Sequence, residues 1–429
     1  MSTSKQSTSA APTTVSGRAL AVWLCGCAVY VMAVAGRTSF GVAGVAAIDR
    51  FGLAASQLAL FITVQVGVYA LAQVPAGIVI DRFGPRKLLF SGAVLMAFGQ
   101  VIMGLTTSFQ VAVAARVLIG LGDTTAFLSV MRLLPQWFPL RKAPVFAQIT
   151  GTMGQLGQII SAVPFLAVLG AAGWTTAFLG LGACGIIVAV AAVTVVRDRP
   201  QPAPQVSRTS RVPLRQALSI VVRDPVVWQG LFTHWTNMVL LTVFSLLWGT
   251  PLMKLGMGLS VTTIGTLLSV IAVTSVCSGP LHGVISARMG RRRESFSLAV
   301  AGLNGVVVIA FFLPASPPSV GWLFIWAVVL ALLIPASGFG FDSIRESVDN
   351  KVVATATGFA NMGGFISTMV AGQLVGIILD QFAQPHGWSE FRIAWWAVIG
   401  VWAIGMVGFV YSRWLVNRRA TPLRTAAEG

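Results

Sequence analysis

Acidic side chains are scarce in this sequence: 12 aspartates and glutamates stand against 29 lysines and arginines in 429 residues, and charged residues make up only 10% of the chain. A soluble chain usually carries about 25% charged residues, so a water-exposed surface cannot be built from this composition. Histidine and tyrosine number three each, and cysteine four. Cys25, Cys27, Cys184 and Cys277 lie in apolar stretches without the Cys or His spacing of a metal site, and they read as buried thiols. There is no His-Glu-x-x-His, no Gly-x-Ser-x-Gly and no phosphate-binding glycine loop. Neither an enzyme, a bound metal nor a cofactor is expected.

What the sequence does have is hydrophobic length. Apolar residues reach 56% and fall in runs of about 20, enough to cross a bilayer as helix. The runs predict helices over 19–46, 56–80, 88–107, 111–137, 145–168, 174–196, 226–253, 260–285, 295–314, 320–343, 354–380 and 391–416. Pro135, Pro251 and Pro335 stand where they would kink or end a helix. The expected organisation is an N-terminal tail over 1–18, six helices over 19–196, a linker over 197–224, six more helices over 225–416 and a tail over 417–429. The first apolar run is too long for a signal-peptide core and reads as a retained helix. The linker, with its Arg-Pro-Gln-Pro-Ala-Pro-Gln run, is too polar to pack in lipid.

The net charge of +17 would suggest nucleic acid in a soluble protein, but the positions of the cations give another account. Loops on the linker side hold Arg82, Arg86, Lys87, Arg141, Lys142, Arg288, Arg291, Arg292, Arg293, Arg345 and the linker's own arginines, whereas the opposite side has Arg50, Lys254 and Arg392. The positive-inside rule then puts both termini in the cytoplasm of a multi-pass protein of the cell inner membrane. The partners expected are a lipid bilayer and a small molecule, with no nucleic acid, and the chain is expected to be a monomer.

An internal repeat organises the chain. Gly77-Ile-Val-Ile-Asp81-Arg82-Phe-Gly84-Pro-Arg86-Lys87 follows the second apolar run, and Gly283-Val-Ile-Ser-Ala-Arg288-Met-Gly290-Arg-Arg-Arg293 follows the second run of the other half. Thr150-Gly151 matches Thr357-Gly358, Gly157 matches Gly364, and Gly173-Trp174 matches Gly387-Trp388. Duplication is the simplest account. The element needs a tight turn, with Asp81 free to cap or pair across an interface. This pattern resembles the signature loop of the major facilitator superfamily, and the resemblance spans nearly the whole chain. It implies an all-α membrane protein of twelve transmembrane helices in two six-helix bundles, rocking about a central cavity by alternating access. It makes Gly77, Asp81, Arg82, Gly84, Arg86, Lys87, Gly283, Arg288 and Gly290 gating residues. Ala287 replaces the acid in the second copy and leaves Asp81 as the gate acid.

Arg37, Arg116, Asp123 and Arg132 lie within apolar spans, where each charge costs roughly 2.5–3.5 kcal/mol to insert. Such residues are kept in cavities or in pairs. Arg116 and Asp123 are seven apart on one helix face, about 10 Å along the axis, so long side chains or one water would connect them, or they simply hold their helix in the bundle. Tyr30 stands in the same relation to Arg37. Arg132 either anchors at the interface or pairs with Asp81. The segments around Arg37 and from Arg116 to Asp123, with Trp137-Phe138-Pro139 closing the fourth helix, resemble the anion:cation symporter branch of the family. That resemblance implies Arg37 as the contact for an anionic substrate and Asp123 as the proton carrier, oriented by Arg116. Gly36 stands where the branch has an acid, and Asp123 where it has Glu.

Further polar side chains inside spans are Gln65, Tyr69 and Gln73 at successive fours, Gln155 and Gln158, His234 and Asn237, and Asn361. Each is either cavity lining or ordinary interhelical glue; His234 alone among them could change charge near neutral pH. The series Gly151, Gly154 and Gly157 reads as a close helix contact. Asp342, Arg345 and Glu346 form either a gate network or a solvated surface cluster. The function expected is secondary transport, as proton-coupled uptake of a small organic anion. The alternatives are a uniporter, a proton antiporter exporting a drug-like amphiphile, and a membrane receptor or sensor.

The orientation has a direct test in a background from which the four cysteines have been removed. Ser207→Cys should resist an impermeant thiol reagent in intact cells and Ala171→Cys should react. The reverse pattern would overturn the helix assignment.

Overall fold

A computed structural model describes residues 14–52, 55–200, 212–383 and 386–425. The N-terminal residues 1–13, the end of the C-terminal tail from 426 and the linker stretch 201–211, with Arg208 and Arg211, lie outside the described residues. Among the described residues the secondary structure is entirely helical, and eleven continuous segments are long and apolar enough to cross a membrane. One of them, Ala143–Val195, has 53 residues and would be about 80 Å long as a single helix, far beyond a hydrocarbon core of about 30 Å. It breaks at Gly173, whose φ of 80° and ψ of 176° are not helical and suit a residue without a Cβ. The segment is therefore two crossings, and the total is twelve.

We label the crossings α1 (Gly17–Val42), α2 (Ala55–Phe83), α3 (Pro85–Leu105), α4 (Phe109–Trp137), α5 (143–172) and α6 (174–195) in the first half. The second half holds α7 (Pro225–Gly256), α8 (Val261–Met289), α9 (Arg293–Phe312), α10 (Val320–Ser347), α11 (Val353–Leu379) and α12 (Trp388–Thr425). The starts are chemically marked. Ser16, Ser260, Ser319 and Asp224 accept backbone N–H bonds from the first turns of α1, α8, α10 and α7, and Pro85 and Pro225 occupy first helical positions.

Four expectations need correction. The first helix stops at Val42, and a short helix, Gly44–Phe51, follows; it lets Arg50 reach the carbonyls of Gly104 and Thr106. The linker contains a helix, Leu214–Arg223, with Ala217, Ile220 and Val221 packed on the core, an apolar stripe at helical spacing. The last helix runs to Thr425, past 416, with Arg418 stacked 3.8 Å from the Trp414 ring. Of the cysteines Cys27 is buried, Cys25 half-buried, and Cys184 and Cys277 are exposed, as apolar outer helix faces of a membrane protein allow. At Pro335 the helix tightens into a 3₁₀ turn over Ile334–Gly338. The proline leaves the Ala331 carbonyl without its helical donor, and Ser278 of α8 donates to it.

The halves meet along two seams related by the repeat, α2 against α11 and α8 against α5. A methyl on Gly77 would lie 2.5 Å from the Ala354 oxygen, and one on Gly283 would lie 2.6 Å from the Val145 Cα. The repeated glycines are therefore the points where one backbone rests on the other. Asp81 accepts from the amides of Ala354 and Thr355 at 3.1 and 2.8 Å and from the Thr355 hydroxyl at 2.8 Å. An acid at the N-terminus of α11 complements its unpaired amides and its dipole. Arg132 pairs with Asp81 at 3.2 Å and donates to the Asn350 carbonyl just before α11. All these contacts lie at the end of the bundle that carries the linker.

Removing the Asp81 charge should loosen that seam. In an Asp81→Asn background, a Thr357→Cys thiol, which replaces a residue only 3% exposed, should react faster with a soluble maleimide than in the parent protein. Equal rates would mean that Asp81 does not hold the seam shut.

Candidate functional site

The central cavity lies between the halves, has a volume of about 240 Å³ and is bordered by Tyr30, Tyr69, Gln155, His234, Phe341 and Asn361 among others. Five of the residues singled out from the sequence thus converge on one space from α1, α2, α5, α7 and α11. Across it Asn361 Nδ2 donates to the Tyr69 hydroxyl at 3.4 Å, linking the two halves. His234 Nδ1 lies 3.1 Å from the Ser337 carbonyl, and Gln148 Nε2 donates to the Pro335 carbonyl at 2.9 Å. Both acceptors belong to the 3₁₀ turn that Pro335 creates.

Beside this cavity sits the charge pair. Arg37 donates through Nε and Nη2 to the two carboxylate oxygens of Asp123, at 2.8 and 3.0 Å, the two-pronged geometry that a guanidinium makes with a carboxylate. The Asp123 side chain is 0% exposed and that of Arg37 19%, so the pair can be approached only from the arginine side. The Arg37 guanidinium lies 4.4 Å over the Tyr69 ring, a cation–π contact that joins the pair to the cavity wall. Nη1 of Arg37 has no protein partner among the described residues.

Arg116 is not a direct partner of Asp123. Its guanidinium does not bond to Asp123; it donates to the carbonyls of Gly36 and Arg37, at 3.2 and 3.1 Å, and lies 5.0 Å over the Phe40 ring. It is 1% exposed. Arg116 thus fixes the backbone of α1 at the residue that carries the Arg37 side chain, and it adds a second positive charge behind the pair. Gly36 is in contact with Gln100 of α3: a Cβ at position 36 would come within 2.6 Å of Gln100 Nε2. Gln100 carries no charge and gave no sequence signal, so it was missed. Its Oε1 and Arg116 Nε are both buried without a partner among the described residues.

Three other candidates are not brought to the cavity. Asn237 turns toward α9 and donates to Ser297 Oγ and the Thr233 carbonyl, which is interhelical glue. Gln65 is buried with both carboxamide atoms unpartnered among the described residues. Gln158 is exposed. Gly154 and Gly157 admit Tyr30 and the α1 backbone at close range, but Gly151 has open space where a Cβ would lie and borders the cavity instead.

At the linker end Asp342 and Arg345 pair at 2.8 Å with side chains 1% and 4% exposed, so these two are not solvated, whereas Glu346 is 38% exposed and pairs with Arg293. Asp342 also accepts from Ser286 Oγ, so this pair braces α10 on α8 within one half. Arg86 donates to the Val193 carbonyl, and its backbone N–H donates to Asp198. Arg82, Lys87 and Arg288 are exposed. Gly84 and Gly290 take φ of 90° and 49° at the two repeated turns. Thr355, the hydroxyl partner of Asp81, was not foreseen, because its position opposite Asp81 exists only once the halves have docked.

Comparison with known proteins agrees with this architecture. The family model described as Major Facilitator Superfamily matches residues 26–372. The protein named "Probable sulfoacetate transporter SauU" from Cupriavidus necator is 24% identical over 384 residues, covering 83% of this chain and 86% of that protein. The Escherichia coli protein named "Probable galactarate/D-glucarate transporter GudP" is 23% identical, over 74% of this chain and 78% of its own length. The oxalate:formate antiporter of Oxalobacter formigenes is 25% identical over 85% of each chain. Among solved structures, a bacterial homologue of the iron transporter ferroportin in the outward-facing state superposes with a TM-score of 0.70 at 16% identity, covering 91% of this chain and 99% of the other; that likeness concerns the fold alone. With its twelve helices in two repeated halves and a family match over most of its length, the chain belongs to the major facilitator superfamily and is a membrane transporter, not an enzyme.

Proposed function

We propose that the chain imports a small organic anion together with a proton, with Arg37 as the anion contact and Asp123 as the proton carrier. The observation that carries this reading is the bidentate Arg37–Asp123 pair, buried on the acid side and open on the arginine side, stacked on a tyrosine that borders the central cavity. With Asp123 ionised, its charge cancels that of Arg37, and an arriving carboxylate has to compete with it. Protonating Asp123 removes the competitor and leaves Arg37, backed by Arg116, to attract the anion. Anion and proton then bind cooperatively, because each is favoured by the state the other creates. The anion cargoes named for the relatives agree with this reading.

The seams supply the moving part. With Asp81 holding α11 and the basic loops in the cytoplasm, the linker end is the cytoplasmic side and is closed in this conformation. Release of Asp81 and Arg132 opens it, and Asp81→Asn should therefore slow turnover while leaving affinity within a few-fold. On this reading the protein works as a monomer in the cell inner membrane, with both termini in the cytoplasm.

Variants of the pair separate the two roles. Arg37→Ala removes a charge-assisted contact worth about 1.5–3 kcal/mol, so anion affinity should fall roughly ten- to a hundred-fold. Arg37→Lys should restore it only in part, because an ammonium cannot make the planar two-pronged contact. Asp123→Asn imitates the protonated acid: accumulation driven by a pH gradient should disappear in proteoliposomes while counterflow exchange persists. Full pH-driven accumulation by Asp123→Asn, or a cationic cargo indifferent to Arg37, would refute anion symport and leave the uniporter or antiporter reading.

A further inference from the structure

The cavity's walls restrict the kind of anion it can hold. Among the described residues no lysine or arginine borders the cavity directly, and Arg37 is the cation stacked on its Tyr69 wall. The second half offers no other at that depth: Lys254 and Arg392 lie toward the far end of the bundle, Arg288, Arg293 and Arg345 lie toward the linker end, and α11 contains no lysine or arginine. A second acid group on the cargo would have no positive partner, and burying an unpaired charge is strongly unfavourable.

Three neutral polar groups of the wall are engaged already, while Thr152, Gln155 and Ser275 border the cavity with no side-chain hydrogen bond among the described residues. Gln148 is bonded to the Pro335 carbonyl, His234 to the Ser337 carbonyl and Asn361 to the Tyr69 hydroxyl. Hydroxyl groups on a cargo would compete with these three contacts, at a cost, and could be met only at the Thr152, Gln155 and Ser275 side of the wall. What the wall does present is aromatic surface. Tyr30 lies 5.5 Å from Phe127, Phe127 5.8 Å from Phe341 and Phe341 4.9 Å from His234, centroid to centroid. This run of rings crosses from the first half to the second. Tyr69, directly under Arg37, packs edge-on against Phe365 at 4.8 Å. These are the spacings of rings packed on one another, and Tyr30, Tyr69, Phe127, Phe341 and Phe365 all border the cavity.

Resting on the anion reading above, we infer that the cargo is a monoanion with a flat apolar body, an aromatic monocarboxylate. Its acid group meets Arg37, and its ring lies among Tyr30, Phe127, Phe341 and Phe365. The cargoes named for the relatives, sulfoacetate and galactarate or glucarate, carry two acid groups, and the latter pair several hydroxyls. The inference therefore separates this chain from those relatives in specificity.

Binding of benzoate, terephthalate, gluconate and glucarate to the purified full-length protein in lipid nanodiscs, measured by displacement of radiolabelled benzoate and directly by calorimetry, tests this. Benzoate should bind at least tenfold tighter than the other three. It should weaken roughly ten- to a hundred-fold in Arg37→Ala and roughly three- to tenfold in Phe341→Leu and in Phe365→Leu. The two phenylalanine variants lie on different walls, so a folding defect in one does not remove the test. Tighter binding of gluconate, glucarate or terephthalate than of benzoate, still dependent on Arg37, would overturn the aromatic monoanion while the anion reading stands. Binding of every compound unchanged by Arg37→Ala would overturn both.

Discussion

A carboxylate that no water reaches, held in an apolar helix bundle, sets the terms for the rest of this molecule. Asp123 is tolerable inside α4 because Arg37 from α1 meets both of its oxygens; removing one member of a buried pair typically costs 3–5 kcal/mol. The geometry of that meeting depends on further residues. Arg116 ties down the carbonyls at Gly36 and Arg37, and Gln100 leaves room at position 36 for nothing larger than glycine without moving. Tyr69 stacks on the guanidinium at the cavity wall. Each of these contacts raises the cost of moving Arg37.

The second constraint, on the transport cycle proposed above, is that the two halves separate and close again without exposing unsatisfied backbone. The repeated glycines accomplish part of this, since Gly77 and Gly283 let the α2 and α8 backbones lie directly against α11 and α5. Asp81 accomplishes another part, by satisfying the amides at the start of α11. The repeat is not symmetric in its chemistry. Where the first half reaches across with Asp81, the second has Ala287, and the acid there, Asp342, is bound within its own half by Ser286 and Arg345. The first seam is thus held by charge and hydrogen bonds, whereas on the other side packing is joined by the neutral bond from Gln148 to the Pro335 carbonyl.

Much of this was legible in the sequence because lipid leaves so few options. A charge in an apolar run has to be paired or line a cavity, and this singles out Arg37, Asp123, Arg116 and Arg132 from the sequence alone. The pairing of Arg132 with Asp81 was one of two readings offered, and the structure selects it. Partner choice was less legible. Helical spacing favoured Arg116 for Asp123, yet a guanidinium from another helix had the better approach, and spacing along one helix carries no information about its neighbours. Neutral groups were the least legible. Tyr69 and Asn361 face the cavity whereas Gln65 and Asn237 do not, and the period of α2 or α7 cannot tell one polar face from another when helices pack on every side. Phe127, Phe341 and Phe365 looked like any other apolar residues until the halves were docked.

The central claim is that anion binding and protonation of Asp123 are one linked event, and proton uptake on binding measures it most directly. If the anion prefers the protein with Asp123 protonated, affinity rises as pH falls until Asp123 is already protonated in the free protein, and above that point binding draws protons from solution. Adding benzoate to the purified protein in weakly buffered solution should therefore take up close to one proton per molecule bound, and Asp123→Asn should bind with no uptake and no pH dependence. Binding without proton uptake in the parent protein across the pH range, or equal uptake in Asp123→Asn, would contradict the account.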